Sequence, residues 1–254
     1  MLRRRDIFLD ILLDQRPLLV LGQTEAGKTT LIKRLMGKYA MPSIIFDYND
    51  EYYIDNGSIR EEIISEEEAL NFLHLYLAML SDMSAPQELL LLLILQHGQN
   101  VFEAIERVHS LKLYDLRVVN AVKLRLDAFK LLIENFNRYT VPVVKFSHIP
   151  PILRIPFTVF VLAHRLLKRS REILVLEEAQ SLNINFIAEE GRKYNKKLIF
   201  VTNDIEKIPP SVRRNSIVLL LHGHPEIKYY FGYTEPYINP VSYTHLTLPT
   251  TERV

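Results

Sequence analysis

Short, continuous apolar runs alternate along the chain with stretches whose apolar residues recur at helical spacing. Leu18-Leu19-Val20-Leu21, Ile44-Ile45-Phe46, Ile173-Leu174-Val175-Leu176, Leu198-Ile199-Phe200-Val201 and Ile217-Val218-Leu219-Leu220 are too short for helices and read as strands buried on both faces. Thr140 to Phe146 reads as one further strand. Residues 1–15 carry Ile7, Phe8, Ile11, Leu12 and Leu13 at helical spacing, and helices are expected after Gly27, over 151–168 and over 186–197. From Ser65 to Asn137 the pattern is helical throughout. Ser65 with Glu68, Ser84 with Gln87 and Asn100 with Glu103 have capping-box spacing, and Leu116, Val119, Val122, Leu126 and Phe129 form a stripe. No period links these segments, so they predict a helical insertion at about 65–137 rather than a solenoid. The pattern predicts an α/β protein with a mostly parallel sheet flanked by helices, as one domain over 1–240.

Composition narrows the class. The chain has 254 residues, 48% of them hydrophobic, enough to bury a substantial core. Lys and Arg total 31 against 30 Asp and Glu, so bulk charge favours no partner and any nucleic-acid contact must come from local patches. The absence of cysteine excludes disulfides, thiolate zinc sites and cysteine nucleophiles. The longest apolar run, Leu89 to Leu95, is far too short to span a membrane, and no signal-peptide pattern opens the chain. A soluble cytoplasmic protein is expected.

The chemistry begins at GQTEAGKTT, Gly22 to Thr30, between the first strand and a helix. It fits G-x-x-x-x-G-K-[ST], the P-loop or Walker A pattern. Glycines let the backbone N–H groups of Gly22, Gln23, Thr24, Glu25, Ala26 and Gly27 turn around a phosphate at a helix N-terminus. Lys28 is expected on the β- and γ-phosphates of ATP and Thr29 on Mg²⁺, with Thr30 the last of the nucleotide-binding residues. The strand Ile173 to Leu176 then ends in Glu177-Glu178, a Walker B pattern. Glu177 is expected to bind Mg²⁺ through water and Glu178 to orient or deprotonate the attacking water.

Other residues are less determined. Asp47 and Glu51 follow the second strand, where ligands gather in open sheets, but Asp also favours turns. Asn203 at the tip of a strand either senses the γ-phosphate or caps a helix near Asp204. Arg192, Arg213 and Arg214 are candidates for an arginine supplied to a neighbouring subunit. The clusters Arg165, Lys168, Arg169, Arg171 and Arg192, Lys193, Lys196, Lys197 fit phosphate contacts or solvated faces.

Taken together, GQTEAGKTT, FDYNDEY, the helical insertion, LVLEEAQSL and EEGRKYNKKLIFVTND resemble the HerA/FtsK branch of P-loop ATPases, and more closely its HerA-like part, over about Pro17 to Leu221. The resemblance implies a RecA/ASCE-like fold and a hexameric ring that couples Mg²⁺-dependent ATP hydrolysis to movement along double-stranded DNA, as a translocase or helicase. It also implies a nuclease or capsid partner. It marks Lys28 and Thr29 as nucleotide and metal ligands, Glu178 as the catalytic glutamate, and Arg192 as the leading arginine to act in trans. It places Asp47 and Glu51 near the site. Two departures stand out: Asn203 replaces the usual glutamine sensor, and Glu177 replaces the commoner aspartate.

Alternatives from the same residues are a viral packaging or conjugative-transfer motor, an ATP-binding switch of low turnover, and a small-molecule kinase. The paired acids disfavour the last. Val241 to Thr250 resembles the translation of a sequencing adapter, so residues 241–254 are expected to be a non-native tail.

Overall fold

The computed structural model describes residues 7–39, 41–53, 59–80, 84–97, 103 and 115–221. The capping box at Asn100 and the tail at 241–254 lie outside the described residues.

Six strands form one parallel sheet: β1 (Leu18–Leu21), β2 (Ser43–Asp47), β5 (Val143–Lys145), β6 (Ile173–Leu176), β7 (Lys197–Thr202) and β8 (Ile217–Leu220), in the spatial order β5-β2-β6-β7-β1-β8. Every residue of β1, β6, β7 and β8 is buried, which is why these strands read as unbroken apolar runs. Side chains nevertheless sort strictly by face. Leu19, Leu21, Phe46, Leu174, Leu176, Phe200 and Val218 enter one core; Leu18, Val20, Ile45, Val175, Ile199 and Leu219 enter the other.

The second core is closed by α1 (Ile7–Leu13) and α2 (Lys28–Tyr39) through Ile11, Leu12, Leu31, Ile32 and Leu35. The first and larger core is closed by α3 (Glu66–Leu80), α4 (Ala85–His97), α5 (Leu116–Asn135), α6 (Arg154–Leu167) and α7 (Ile184–Lys193). The α/β sandwich expected from the pattern is therefore present. The helices of the 65–137 segment share the sheet's own core: Phe72 and Tyr76 of α3, Phe129 of α5 and Phe160 of α6 form an aromatic cluster with centroids 4.7–6.3 Å apart, edge-to-face except for the tilted pair Tyr76 and Phe129. Of the predicted stripe on α5, Val122, Leu126 and Phe129 are buried, but Leu116 is 74% exposed. The box at Ser65 is formed as expected, with the Glu68 N–H on Ser65 Oγ and the Ser65 N–H on Glu68 Oε2, both at 3.2 Å.

Several expectations are corrected. The strand expected over Thr140 to Phe146 is two strands. Pro142 has no N–H for a ladder, and the chain changes sheets there: β4 (Arg138–Val141) pairs antiparallel with β3 (Arg60–Ile63), and β5 joins the edge of the main sheet. The helix expected over 186–197 ends at Lys193; Asn195 takes a left-handed φ of 54° and turns the chain into β7.

The basic clusters are split: Arg169, Arg171, Arg192 and Lys193 are exposed, whereas three members are not the surface residues they resembled. Arg165 is buried, pairing with Glu62 at 2.6 Å and with Glu172. Lys196 and Lys197 are also buried. Lys196 Nζ donates to the carbonyls of Lys168 and Ser170 at 2.7 and 2.6 Å, and Lys197 Nζ to those of Asp14 and Arg16 at 3.0 and 2.6 Å. These ammonium groups tie together the starts of strands rather than facing a ligand. Among the described residues, no helix is long and apolar enough to cross a membrane.

Candidate active site

The carboxyl ends of β1, β2, β6 and β7 surround a cleft of about 450 Å³. Its walls are residues 27–30 with Thr24 and Glu25, the acids Glu51, Glu177 and Glu178, and residues 201–203 with Asn49. Strand order explains the grouping. β7 lies between β1, which carries the P-loop, and β6, which carries the paired acids, so its tip opens between the two.

The loop after β1 is shaped to cradle an anion. Glu25 and Gly27 take positive φ of 67° and 87° on either side of Ala26, whose own N–H closes a turn onto the Gln23 carbonyl at 3.1 Å; such alternation of backbone hand is the geometry of an anion nest. Gly22 is fixed by proximity: a Cβ there would lie 2.9 Å from the Ala26 Cβ and 3.2 Å from the Leu221 Cβ. Leu31 is the first residue of α2 whose N–H bonds back to a carbonyl, that of Gly27 at 2.9 Å. The N–H groups of Lys28, Thr29 and Thr30 precede the helical ladder. Lys28 Nζ donates to the carbonyls of Gly22 and Gln23, both at 2.8 Å, folding across the loop. Burial pulls its pKa below the usual lysine value, and Glu178, Glu177 and Glu51 oppose that pull.

A cluster of acids faces the loop. Thr29 Oγ1 donates to Glu51 Oε2 at 2.5 Å, and Lys33 Nζ donates to the Glu51 carbonyl at 2.6 Å. Asp47, fully buried, accepts the N–H groups of Glu51 at 3.0 Å and Tyr52 at 2.9 Å, and so holds the turn that delivers both. Asp47 thus makes the turn and does not line the cleft, although its charge reaches Glu177 there; Glu51 is the residue that reaches the cleft. Tyr52 OH donates to Glu177 Oε1 at 2.9 Å, and Glu177 Oε2 is buried without a partner. Burial drives the Glu177 carboxyl up to about 7 despite the Tyr52 hydrogen bond, and Asp47, Glu51 and Glu178 push it further up. Glu178 follows in a left-handed conformation, φ 48° and ψ 36°, and its carboxylate accepts from Gln180 Nε2.

No family model and no curated protein matches this sequence. Among solved structures it is similar to VirB4 of Thermoanaerobacter pseudethanolicus, with 16% identity and a TM-score of 0.49, over 86% of this chain and 81% of that one.

The donor set fits a hard divalent cation. Magnesium takes oxygen ligands, keeps several waters and uses one or two carboxylates beside phosphate oxygens. Thr29 Oγ1, Glu51 and the orphaned Glu177 Oε2 supply oxygens of that kind on one side of the cleft. Among the described residues no cluster of three or more His, Asp or Glu side chains could hold an ion unaided.

Of the expected site residues, Thr24, Glu25 and Gly27 to Thr30 meet Glu177 and Glu178 around one cleft, Gly22, Gln23 and Ala26 do not line it, and Asn203 stands exposed on its rim. No helix starts at Asp204; a turn follows, and α8 (Pro210–Arg214) begins six residues later, so the capping role for Asn203 is corrected. Arg192 is not in the chain's own site. It lies beside Asp14, Arg171 and Lys197 at the starts of the strands, across the sheet from the cleft, and Arg213 and Arg214 likewise directly precede the start of β8. Sequence reasoning missed Tyr52, Gln180 and Thr202. The signal for Tyr52 was its place after Glu51; Gln180 and Thr202 are far apart in sequence and had none.

Proposed function

We propose that this chain is a Mg²⁺-dependent ATPase of the HerA/FtsK type that works as a hexameric ring moving along double-stranded DNA. One observation carries the ATPase reading: the P-loop and the paired acids open on the same cleft, with the tip of β7 between them.

The roles follow from the chain's own groups. The N–H groups at the start of α2 bind phosphate oxygens, and Lys28 exchanges its two carbonyl acceptors for them. Thr29, Glu177 and Glu51 would hold Mg²⁺, which supplies neutralisation of phosphate charge when bound. Tyr52 fixes one oxygen of Glu177, leaving the other for the cleft. Glu178, at the rim, orients water and takes its proton. Asn203, on the rim of the cleft, is the proposed sensor of the phosphate end. Arg192, on the far side of its own sheet, serves only if it enters a neighbour's cleft, which is the reason for a ring.

The test is steady-state ATP hydrolysis by the full chain, with and without double-stranded DNA, at low and moderate salt. Lys28-dependent hydrolysis, stimulated by DNA and less so as salt rises, is the expected result. Hydrolysis unchanged in Lys28→Ala overturns the ATPase reading; hydrolysis indifferent to DNA overturns the motor.

A further inference from the structure

The carboxylate of Glu178 is anchored by a side chain two residues further on. Gln180 sits in the short 3₁₀ turn Ala179–Ser181 that follows the Walker B acids. Its Nε2 donates to Glu178 Oε2, and its Oε1 accepts from Thr202 Oγ1 at 2.8 Å. Chemistry sets the orientation of this amide. An ionised carboxylate only accepts, so the NH₂ group must face Glu178, which leaves the carbonyl for the threonine hydroxyl.

Thr202 is the last residue of β7 and is 2% exposed. Its Oγ1 also accepts the Asp204 N–H at 3.1 Å, so the hydroxyl is tied to the backbone on the far side of Asn203. The bridge Thr202, Gln180, Glu178 thus runs from the tip of one strand to the acid of the next. Glu178 needs such a constraint. A non-glycine residue in the left-handed region projects its side chain outside regular strand geometry, so neither β6 nor its pleat sets the carboxylate's direction.

We propose that Gln180 is a positioning residue that couples the tip of β7 to the catalytic carboxylate. A displacement of Thr202 and Asn203 by a phosphate end is carried through the amide to Glu178, and the acid is aimed according to what the strand tip meets. Gln180 does not line the cleft and acts through Glu178. The inference rests on the ATPase reading above.

Hydrolysis and nucleotide binding by the full chain test it. In Gln180→Ala, kcat falls roughly tenfold or more, the scale of one hydrogen bond to a charged group, while KM and the affinity for a fluorescent ATP analogue stay unchanged. Thr202→Val lowers kcat in the same way, Thr202→Ser restores it, and the double variant is no slower than the slower single one because both cut the same bridge. Gln180→Glu, which sets a like charge against Glu178, gives the same loss and serves should the alanine variant not fold. A purely structural role moves stability and not this kcat pattern. Unchanged or raised kcat in these Gln180 variants, or additive losses in the double variant, overturns the proposal. Its failure is separable from that of the ATPase reading: hydrolysis that survives Lys28→Ala defeats the latter, whereas hydrolysis lost in Lys28→Ala but retained in Gln180→Ala defeats the positioning role alone.

Discussion

Two buried groups titrate in opposite senses over the same pH range, and their effects on stability should largely cancel. His164 on α6 has a side chain only 4% exposed; its Nδ1 lies 2.8 Å from Tyr139 OH and its Nε2, without a hydrogen-bond partner, 3.9 Å from Glu68 Oε1. Burial pulls its pKa from 6.5 down to about 4, with Lys168 and Arg165 acting the same way against Glu68 and Glu62. Glu177, also buried, is driven from 4.5 up to about 7. Below pH 6.5 the unfolded chain takes a proton at His164 that the folded protein excludes, so this contribution is whole above 6.5 and is lost as pH falls towards 4. Above pH 4.5 the unfolded chain releases a proton from Glu177 that the folded protein keeps, so that contribution is whole below 4.5 and is lost as pH rises through 7. Each window is about 2.5 pH units wide, and each contribution amounts to about 3 kcal/mol. Glu62 and Glu68 are held below the usual carboxylate range and stay ionised across the overlap. The wild type should therefore show a nearly flat unfolding free energy between about pH 5 and about pH 6.5. His164→Gln leaves Glu177 unopposed, and stability should fall by about 2 kcal/mol over that interval as pH rises; Glu177→Gln should tilt the other way by a similar amount. Urea unfolding followed by circular dichroism, in chelator so that no cation holds Glu177 ionised, reads both slopes. Parallel profiles for wild type and His164→Gln would refute the reasoning.

Three further outcomes follow from single residues. Glu178→Gln should bind ATP and fail to turn it over, measured by filter retention of nucleotide beside phosphate release; lost binding would make the residue structural. Gly191→Ala places a Cβ 2.4 Å from Leu198 Cδ1 and 2.8 Å from its Cγ, in the seam between α7 and β7. Overpacking there should cost about 1–3 kcal/mol in urea unfolding, more than the roughly 1 kcal/mol that alanine gains over glycine in a helix, and a stabilised variant would contradict the seam. Mixing Arg192→Ala with Lys28→Ala protein should restore part of the hydrolysis that each lacks alone, as a site shared between subunits requires; a mixture as inactive as its components would remove Arg192 from the reaction.

How legible each part was depended on how local its cause is. The strands of the main sheet declared themselves because both faces are buried, which forces an unbroken apolar run such as Ile173 to Leu176. β3 stayed hidden because Arg60-Glu61-Glu62-Ile63 is mostly solvent-facing, and its one half-buried acid, Glu62, is there to meet Arg165 more than a hundred positions away. Partners that are not neighbours in sequence also hid the burial of Arg165, Lys196 and Lys197. Composition assigns charges to the surface, whereas a lysine whose stem follows a strand can end on backbone carbonyls, as Lys197 does on those of Asp14 and Arg16. The loop from Gly22 to Thr30 was legible because its backbone turn is built from consecutive residues and needs particular residue types at fixed spacing.

The paired acids had a meaning that sequence could only half supply. Glu177 and Glu178 are neighbours in the chain, yet their environments diverge at once. Glu177 is buried against Tyr52, with one oxygen bonded and the other orphaned, while Glu178 turns left-handed onto Gln180 and the tip of β7. That divergence is produced by strand order, because β6 has β2 on one side and β7 on the other. The acid that follows the apolar run takes its partner from the β2 side, Tyr52; the next takes Gln180, which Thr202 at the tip of β7 holds in turn. Two adjacent carboxylates thus acquire different surroundings from the strands that flank them, and the proposed division into a metal-facing and a water-facing acid rests on the order β2-β6-β7-β1 that separates the two.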